Sequence, residues 1–390
     1  MIETQTIAPA PADTRRDLIG LSREELAQEL AALGEKPFRV KQLWHWIYHQ
    51  GETDFPAMTT LAKGLRETLA ERFAVRRPRV VTEQNSADGT RKWLLAMPDG
   101  NQVETVHIPE EDRGAVCVST QVGCTMTCRF CHTGTQLLVR NLSAAEIVGQ
   151  FMLARDSYGE WPTPTDETRH LSNVVLMGMG EPLLNYDAVV RAMKIVMDPE
   201  GIAMSKRRVT LSTSGYVPNI RRCAADLGVK LAVSLHAATD EVRDAIMPIN
   251  RKYPIAELLA ACRDYQEIAG ARQYVTFEYI LLKGVNDSLA DARQLVRLIE
   301  SSGIGAKFNL IPFNAWPGAP YETPAVKTVQ AFAEVLTAAG FAAPIRVPRG
   351  RDILAACGQL RSASERQKLS RVRARQAEGI DDPHAPPEKS

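Results

Sequence analysis

Four of the seven cysteines in this 390-residue chain lie within residues 117–131. Three of them have the spacing C-x3-C-x2-C, at Cys124, Cys128 and Cys131, and the fourth is Cys117. Cysteines grouped in this way form disulfides, bind zinc or hold an iron–sulfur cluster. The remaining cysteines are Cys223, Cys262 and Cys357. Their wide separation argues against a dense disulfide framework.

The choice among these chemistries depends on the redox compartment. Residues 1–20 lack the apolar segment of a secretory signal, and no apolar run approaches the ~20 residues that span a bilayer. We therefore expect a cytoplasmic protein that makes no membrane contact. In a reducing cytoplasm, grouped cysteines more often bind metal or take part in chemistry than form disulfides.

The charge is nearly balanced over the whole chain, with 47 basic and 46 acidic residues and a net charge of +1. This balance argues against a uniformly basic coat for binding nucleic acid. Basic residues are nevertheless clustered at residues 72–79, 206–208 and 361–375. One such run is usually a solvated face, but three together are consistent with an anionic partner.

Composition and hydrophobic periodicity divide the chain into five parts. We predict a disordered tail over residues 1–14, a helical accessory domain over 15–80, a β-hairpin extension over 81–113, one α/β domain over 114–361 and a basic, disordered tail over 362–390. In the accessory domain, Ser22 and Glu25 predict a capped helix start. The segment FRVKQLWHWIYHQG mixes aromatic and basic side chains, which suits either RNA binding or a small helical core.

The large domain alternates apolar, β-branched segments with helical ones. The strand-like segments are AVCVSTQVG, NVVLMGMG, RVTLSTSG, LAVSLHA, YVTFEYILLKG and KFNLIPFN. Six such units predict parallel strands in either a doubly wound sheet or an incomplete barrel, and both bind ligands at the carboxyl ends of the strands. Those ends carry Cys124, Gly178–Glu181, Ser212–Gly215, His236 and Asn314. We therefore expect one composite site.

The three spaced cysteines leave a coordination position open. A structural zinc site has four ligands, so zinc would need His132 or Cys117 as the fourth. A [4Fe–4S] cluster also normally takes four thiolates, and three would leave one iron free. In the radical S-adenosylmethionine (SAM) superfamily, a C-x3-C-x2-C loop with an aromatic residue before its last cysteine holds such a cluster, and the free iron binds SAM. This loop resembles that one, with Phe130 at the aromatic position.

Motifs outside the cysteine loop resemble those of one particular family within this superfamily. GMGEPLLN, SKRRVTLSTSG, SLHA, NLIPFNAWPGAPY and AACGQL resemble motifs of the dual-specificity RNA adenine-C2 methyltransferases. The resemblance extends over roughly residues 20–361. It implies an α/β fold, an incomplete (β/α)6 radical SAM barrel with a small N-terminal helical domain. It also implies two substrates, one adenine in 23S rRNA and the adenine 3′ to the anticodon in tRNA.

The resemblance assigns separate roles to the cysteines outside the cluster. Carbon C2 of adenine lies between two ring nitrogens and is too electron-poor to attack the methyl group of SAM, so a radical is needed. In the family, one SAM methylates the cysteine that matches Cys357, and a second SAM, cleaved at the cluster, provides the radical that activates this methyl group. After the carbon has added to C2, a base that matches Glu104 removes the C2 proton. A cysteine that matches Cys117 then releases the product by forming a disulfide with Cys357.

The resemblance also implies the SAM contacts. They are Gly180, Glu181, Ser212, Ser234, Leu235, His236 and Asn314. Glycine lets the backbone approach a ligand, and a carboxylate accepts hydrogen bonds from the SAM ammonium group. The neutral polar side chains suit the carboxylate, ribose and adenine of SAM. Cys223 and Cys262 are expected to be buried helix residues without a chemical role.

Other functions stay open at this point. A related family methylates C8 of the same rRNA adenine, confers antibiotic resistance and shares the reactive cysteines. A non-catalytic, zinc-stabilised RNA-binding protein would be colourless, and an activase that makes glycyl radicals would have no use for Cys357. For the methyltransferase we further expect an electron donor such as flavodoxin, and a monomeric enzyme.

Overall fold

The computed structural model describes residues 14–111, 113–163, 170–270, 274–362 and 364. The tail predicted over residues 1–14 therefore lies outside the described residues except for Thr14. The basic tail predicted over 362–390 lies outside them except for Ser362 and Ser364. None of the helices in the described ranges combines the length and the apolar character that crossing a membrane requires.

The N-terminal part is a small helical unit. It contains β1 (Arg16–Asp17), α1 (Arg23–Ala32), α2 (Phe38–Trp44), a π-helical turn (His45–His49), α3 (Lys63–Arg72) and β2 (Phe73–Ala74). The predicted capping box starts α1, since the Ser22 side chain accepts the Glu25 N–H and the Glu25 carboxylate accepts the Ser22 N–H. Trp44 and Tyr48 are buried, whereas Phe38 is exposed. The aromatic segment therefore serves mainly as a helical core.

The rest of the described chain is built around one large sheet. The next elements are β3 (Arg79–Asn85), β4 (Arg91–Ala96), β5 (Gln102–Glu110), β6 (Arg113–Cys117), β7 (Gln121–Val122), β8 (Arg140–Asn141), α4 (Ala144–Tyr158), β9 (Asn173–Leu176), α5 (Tyr186–Met197), β10 (Val209–Thr213) and α6 (Val217–Asp226). They are followed by β11 (Lys230–Ser234), α7 (Asp240–Ile246), α8 (Ile255–Ala269), β12 (Val275–Leu281), α9 (Leu289–Ser302), β13 (Ala306–Pro312) and α10 (Val326–Ala338). Within the described residues, nine strands form this sheet in the order β13-β12-β11-β10-β9-β6-β5-β4-β3.

The parallel half of the sheet is the predicted barrel. In the described part of the chain, six neighbouring strands, β6 and β9 to β13, are parallel and are joined by helices. They follow one another in chain order, without the reversal that defines a doubly wound sheet. β13 and β3 form opposite edges of the sheet, so these strands do not close into a full barrel. The incomplete (β/α)6 barrel is confirmed.

The antiparallel half extends the barrel on one side. β4 and β5 form the predicted hairpin, whose turn is closed by the Gly100 N–H donating to the Met97 carbonyl at 2.9 Å. β5 then pairs antiparallel with β6, and Val106 lies opposite Cys117. This pairing places Glu104, on β5, beside the carboxyl end of the first barrel strand.

Candidate active site

The cysteine loop is held at its base by the short β7–β8 ribbon. Gly123 has φ +77°, and a Cβ there would lie 2.2 Å from the Leu137 carbonyl oxygen, so only glycine fits. The next residue, Cys124, donates its N–H to the Gln136 carbonyl at 3.0 Å. The loop is therefore fixed at both ends before any ligand binds.

A cavity lies where the barrel strands end. It is lined by Cys124, Cys128, Cys131, Gly180, Glu181, Ser212, Ser234, His236 and Cys357 among the predicted site residues. Four predicted site residues lie outside its lining, namely Glu104, Cys117, Leu235 and Asn314. The structure thus brings together residues from the cysteine loop, three barrel strands and the C-terminal loop.

Gly180 and Glu181 form the edge of the cavity after β9. Gly180 has φ +99°, and a Cβ there would lie 2.5 Å from the Gln121 Cβ. The buried Glu181 carboxylate accepts the Leu183 N–H at 3.1 Å and the Ser214 N–H at 2.7 Å. Burial raises the pKa of this carboxyl, although these hydrogen bonds oppose the shift. A carboxylate in this position can also accept hydrogen bonds from a ligand ammonium group.

His236 and Leu235 lie just beyond β11. The Nδ1 atom of His236 accepts the Ile280 N–H at 2.9 Å, and burial lowers the pKa of the ring to about 3. The imidazole is therefore neutral, with its proton on Nε2. Its ring packs edge-on against Phe130 of the cysteine loop, with centroids 4.7 Å apart. The Leu235 side chain is buried in the core, and its carbonyl accepts from the Arg243 guanidinium at 3.0 Å.

The C-terminal loop carries Cys357 into the cavity. The His132 N–H donates to the Gly358 carbonyl at 2.7 Å, which ties this loop to the cysteine loop. Asn314 donates through Nδ2 to the Cys357 carbonyl at 3.3 Å. Its Oδ1 atom is buried and has no hydrogen-bond partner in the described ranges, so it can accept from a ligand. Asn314 therefore supports the loop as well as the site.

Cys117 ends β6, is buried and lies outside the cavity lining. Burial raises the pKa of its thiol, and the charge of a Cys357 thiolate would raise it further. Both are free thiols in this structure, as are Cys223 and Cys262, which are buried in helices. The predicted disulfide between Cys117 and Cys357 is absent from these described residues.

Glu104 is held behind the C-terminal loop. Its carboxylate pairs with the Lys92 ammonium at 2.9 Å and accepts the Arg361 N–H at 2.8 Å. Burial raises the pKa of this carboxyl, and Lys92 partly offsets the shift. Glu104 thus contacts the backbone just after Cys357 rather than the cavity itself.

The donor set fits an iron–sulfur cluster better than zinc. Three thiols from one loop line the cavity, and as thiolates they would leave one iron of a [4Fe–4S] cluster without a protein ligand. In the described ranges no three His, Cys, Asp or Glu side chains are grouped to hold a single metal ion. His132 has both ring nitrogens occupied, with Nδ1 3.2 Å from the Gln359 carbonyl and Nε2 3.2 Å from the Arg361 guanidinium. A zinc site completed by His132 is not favoured.

Two buried charged residues near the site were missed by sequence reasoning. Arg243, on α7, is fully buried and donates to the carbonyls of Ser214, Ser234 and Leu235 at 2.8–3.0 Å. Nothing in its helical segment signals this role. Glu278 lies in β12 and lines the cavity. Glu278 is the one acidic residue within the apolar run YVTFEYILL, and this pattern could have indicated a functional role from the sequence.

Arg243 is expected to be essential for the stability of the cavity wall. Arg243→Met would leave several buried carbonyl oxygens without donors and should lower the free energy of unfolding by about 3 kcal/mol. Urea unfolding followed by circular dichroism measures the change. Arg293→Met, at an exposed position of α9, is the matched control and should leave the unfolding midpoint unchanged. Equal midpoints for the two variants would contradict the assignment.

Two family models match the chain. "Ribosomal RNA large subunit methyltransferase N-terminal domain" matches residues 16–75, and "Radical SAM superfamily" matches residues 118–296. The crystal structure of a radical SAM methyltransferase from Sphaerobacter thermophilus has a TM-score of 0.82 and 46% identity, covering 89% of this chain and 99% of that one. The barrel and its cysteine loop therefore define a radical SAM enzyme.

Curated relatives match almost the whole chain. The dual-specificity RNA methyltransferase RlmN of Rhodospirillum rubrum is 68% identical over 97% of this chain and 87% of the relative. That of Paramagnetospirillum magneticum is 64% identical over 95% of this chain and 81% of the relative. The chain belongs to the dual-specificity RNA methyltransferase RlmN family. The family predicted from the sequence motifs is confirmed.

Proposed function

We propose that this enzyme methylates C2 of one adenine in 23S rRNA and of the adenine 3′ to the anticodon in tRNA, with Cys357 as the methyl carrier. The observation that carries the proposal is that Cys357 and the three spaced cysteines line one cavity, although they lie far apart in the sequence. The names of the curated relatives support RNA as the substrate.

The residues present fit a [4Fe–4S] cluster and SAM. Cys124, Cys128 and Cys131 would hold the cluster. Gly180, Glu181, Ser212, Ser234, Leu235, His236 and Asn314 would hold SAM. When bound, these groups supply the methyl group and the one-electron chemistry that an electron-poor carbon requires. Two SAM molecules per turnover, an electron donor such as flavodoxin, and a monomeric, cytoplasmic enzyme belong to the same proposal.

Three residues of the chain would then carry out separate steps of the reaction. Cys357 carries the methyl group as a thioether and becomes joined to the RNA through that carbon. Glu104 takes the proton from C2, and its raised pKa favours proton uptake. Cys117 attacks the Cys357 sulfur and releases the methylated RNA, leaving a disulfide. The hydrogen bond of Glu104 to the Arg361 N–H, close to Cys357 in the sequence, and the electrostatic influence of Cys357 on Cys117 support these roles.

The RNA must present an extruded base to the cavity. The helical unit, for which we propose residues 15–80 as an RNA-binding accessory domain, would hold the surrounding RNA, and the match to an rRNA methyltransferase N-terminal domain supports this. Residues 81–113 would extend the barrel formed by 114–361. Lys206, Arg207 and Arg208 are exposed and available to phosphates.

Nucleoside mass analysis tests the proposal. RNA from cells that lack the gene is incubated anaerobically with enzyme, SAM and reductant, and the nucleosides are then separated. We expect 2-methyladenosine in both 23S rRNA and tRNA. Formation of 8-methyladenosine would instead support the C8 alternative, and the absence of any methyladenosine would overturn the proposal.

A further inference from the structure

Glu278 is a buried acid that the proposed reaction leaves without a role. It lies near the middle of β12, a strand that is buried along its whole length, and its side chain lines the cavity together with Cys357. Its Oε1 atom accepts the Asn309 amide N–H from the neighbouring strand at 2.7 Å. In the described part of the chain, Asn309 gives the one hydrogen bond that acts on this carboxyl, and Arg346 and Lys307 act on it as charges without forming an ion pair. One oxygen is therefore fixed and the other is free for proton transfer.

The surroundings of Glu278 keep its proton affinity high. Burial raises the pKa of this carboxyl to about 7, while the Asn309 amide and the more distant charges of Arg346 and Lys307 oppose the shift. An unpaired acid costs free energy in such a place, so its presence in a ligand cavity indicates a function. A carboxylate with a pKa near neutrality is suited to accept and return a proton.

Cys357 needs a base in this cavity. Only a thiolate attacks an electrophilic methyl group effectively, but the protein atoms around Cys357 raise the pKa of its thiol. The Glu278 carboxylate, which lines the same cavity, raises this pKa further, and the charge of Arg346 opposes the shift. The loop that carries Cys357 is fixed by Asn314 and His132, so the thiol and the carboxylate remain within one cavity.

We propose that Glu278 accepts the thiol proton of Cys357 when that sulfur receives its methyl group from SAM. The S–H bond of Cys357 breaks and its proton moves to Glu278 Oε2. A sulfur electron pair forms the bond to the methyl carbon, and the methyl–sulfonium bond breaks with its electrons remaining on the departing thioether. No oxidant or reductant takes part. This inference rests on the proposed function, in which Cys357 carries the methyl group.

Charge balance favours this step, although Cys357 itself is exposed. Before transfer, the cavity would contain a carboxylate anion and a sulfonium cation. After transfer, it contains a neutral carboxylic acid and two neutral thioethers. The products carry no such pair of opposite charges, so they need less solvation than the reactants. Glutamine at position 278 could supply neither the negative charge nor the proton acceptor.

The test measures methylation of Cys357 itself, without RNA or reductant. Enzyme with its cluster and with Cys357 as the free thiol is mixed with methyl-deuterated SAM, and the peptide that contains Cys357 is followed by mass spectrometry. At pH 7, Glu278→Gln should slow the transfer about 100-fold. The deficit should shrink as the pH rises, because solvent then removes the thiol proton. Glu278→Asp keeps a carboxylate and should retain part of the rate.

Binding and folding controls make the result decisive. SAM affinity and iron content are measured for each variant. Glu160→Gln removes a buried acid outside the cavity and should methylate Cys357 at the normal rate. A normal rate for Glu278→Gln, or a loss explained by weaker SAM binding or missing iron, would overturn the inference. If the unaltered enzyme transfers no methyl group to Cys357, the proposed function fails instead.

Discussion

Replacing Cys117 by alanine should trap the enzyme on its RNA substrate. In the proposed sequence, the methylated adenine stays bonded to Cys357 until a second thiol attacks that sulfur. Cys117 is a buried thiol whose pKa is influenced by Cys357, and we assign the attack on the Cys357 sulfur to it. Cys117→Ala should therefore allow every step up to release. We expect a covalent protein–RNA complex that survives denaturation, and free methylated RNA at background level.

Denaturing gels with labelled tRNA, followed by mass analysis of the complex, measure this result. Cys262→Ala is the matched control, because Cys262 is also a buried thiol but lies in α8, outside the cavity lining. That variant should release product normally and form no complex. Free product from Cys117→Ala at the normal rate, with no covalent complex, would contradict the role of Cys117.

The second prediction with a large expected effect concerns the iron–sulfur cluster. Anaerobically purified enzyme should be brown and contain about four iron atoms per chain. Cys128→Ala removes one of the three thiols that line the cavity and should reduce both iron content and RNA methylation to background. Iron assay, visible absorption and methylation of tRNA measure these changes.

Cys223→Ala is the control for this prediction. Its thiol is buried in α6, away from the cavity, and the variant should keep its iron. Retention of iron by Cys128→Ala would remove the basis for the cluster assignment. A colourless, zinc-containing enzyme would favour the zinc-stabilised RNA-binding alternative.

The features that the sequence predicted well are local or periodic. The capping box at Ser22 depends on residues within one helical turn, and the β4–β5 hairpin depends on a short turn at Gly100. The six barrel strands were predicted from repeated apolar segments separated by helical ones. The rule that ligands bind at strand carboxyl ends then placed Ser212, Ser234 and His236 correctly around one cavity.

Distances across the fold could not be predicted in this way. Asn314 was expected among the SAM contacts, but its Nδ2 also supports the loop that carries Cys357. Glu104 lies behind that loop, paired with Lys92, and outside the cavity lining. These arrangements depend on which strands and loops become neighbours, and neither spacing nor periodicity encodes such contacts.

The sequence by itself determined the cysteine loop, the order of strands and helices, and the family to which the chain belongs. These depend on spacings and patterns that can be recognised along the chain. Only the tertiary structure decided that Cys357 and Glu278 line one cavity, that Cys117 lies outside its lining, and that Arg243 supports its wall. The physical reason is that their pKa values and partners arise from burial and from through-space neighbours, which exist only once the sheet has assembled.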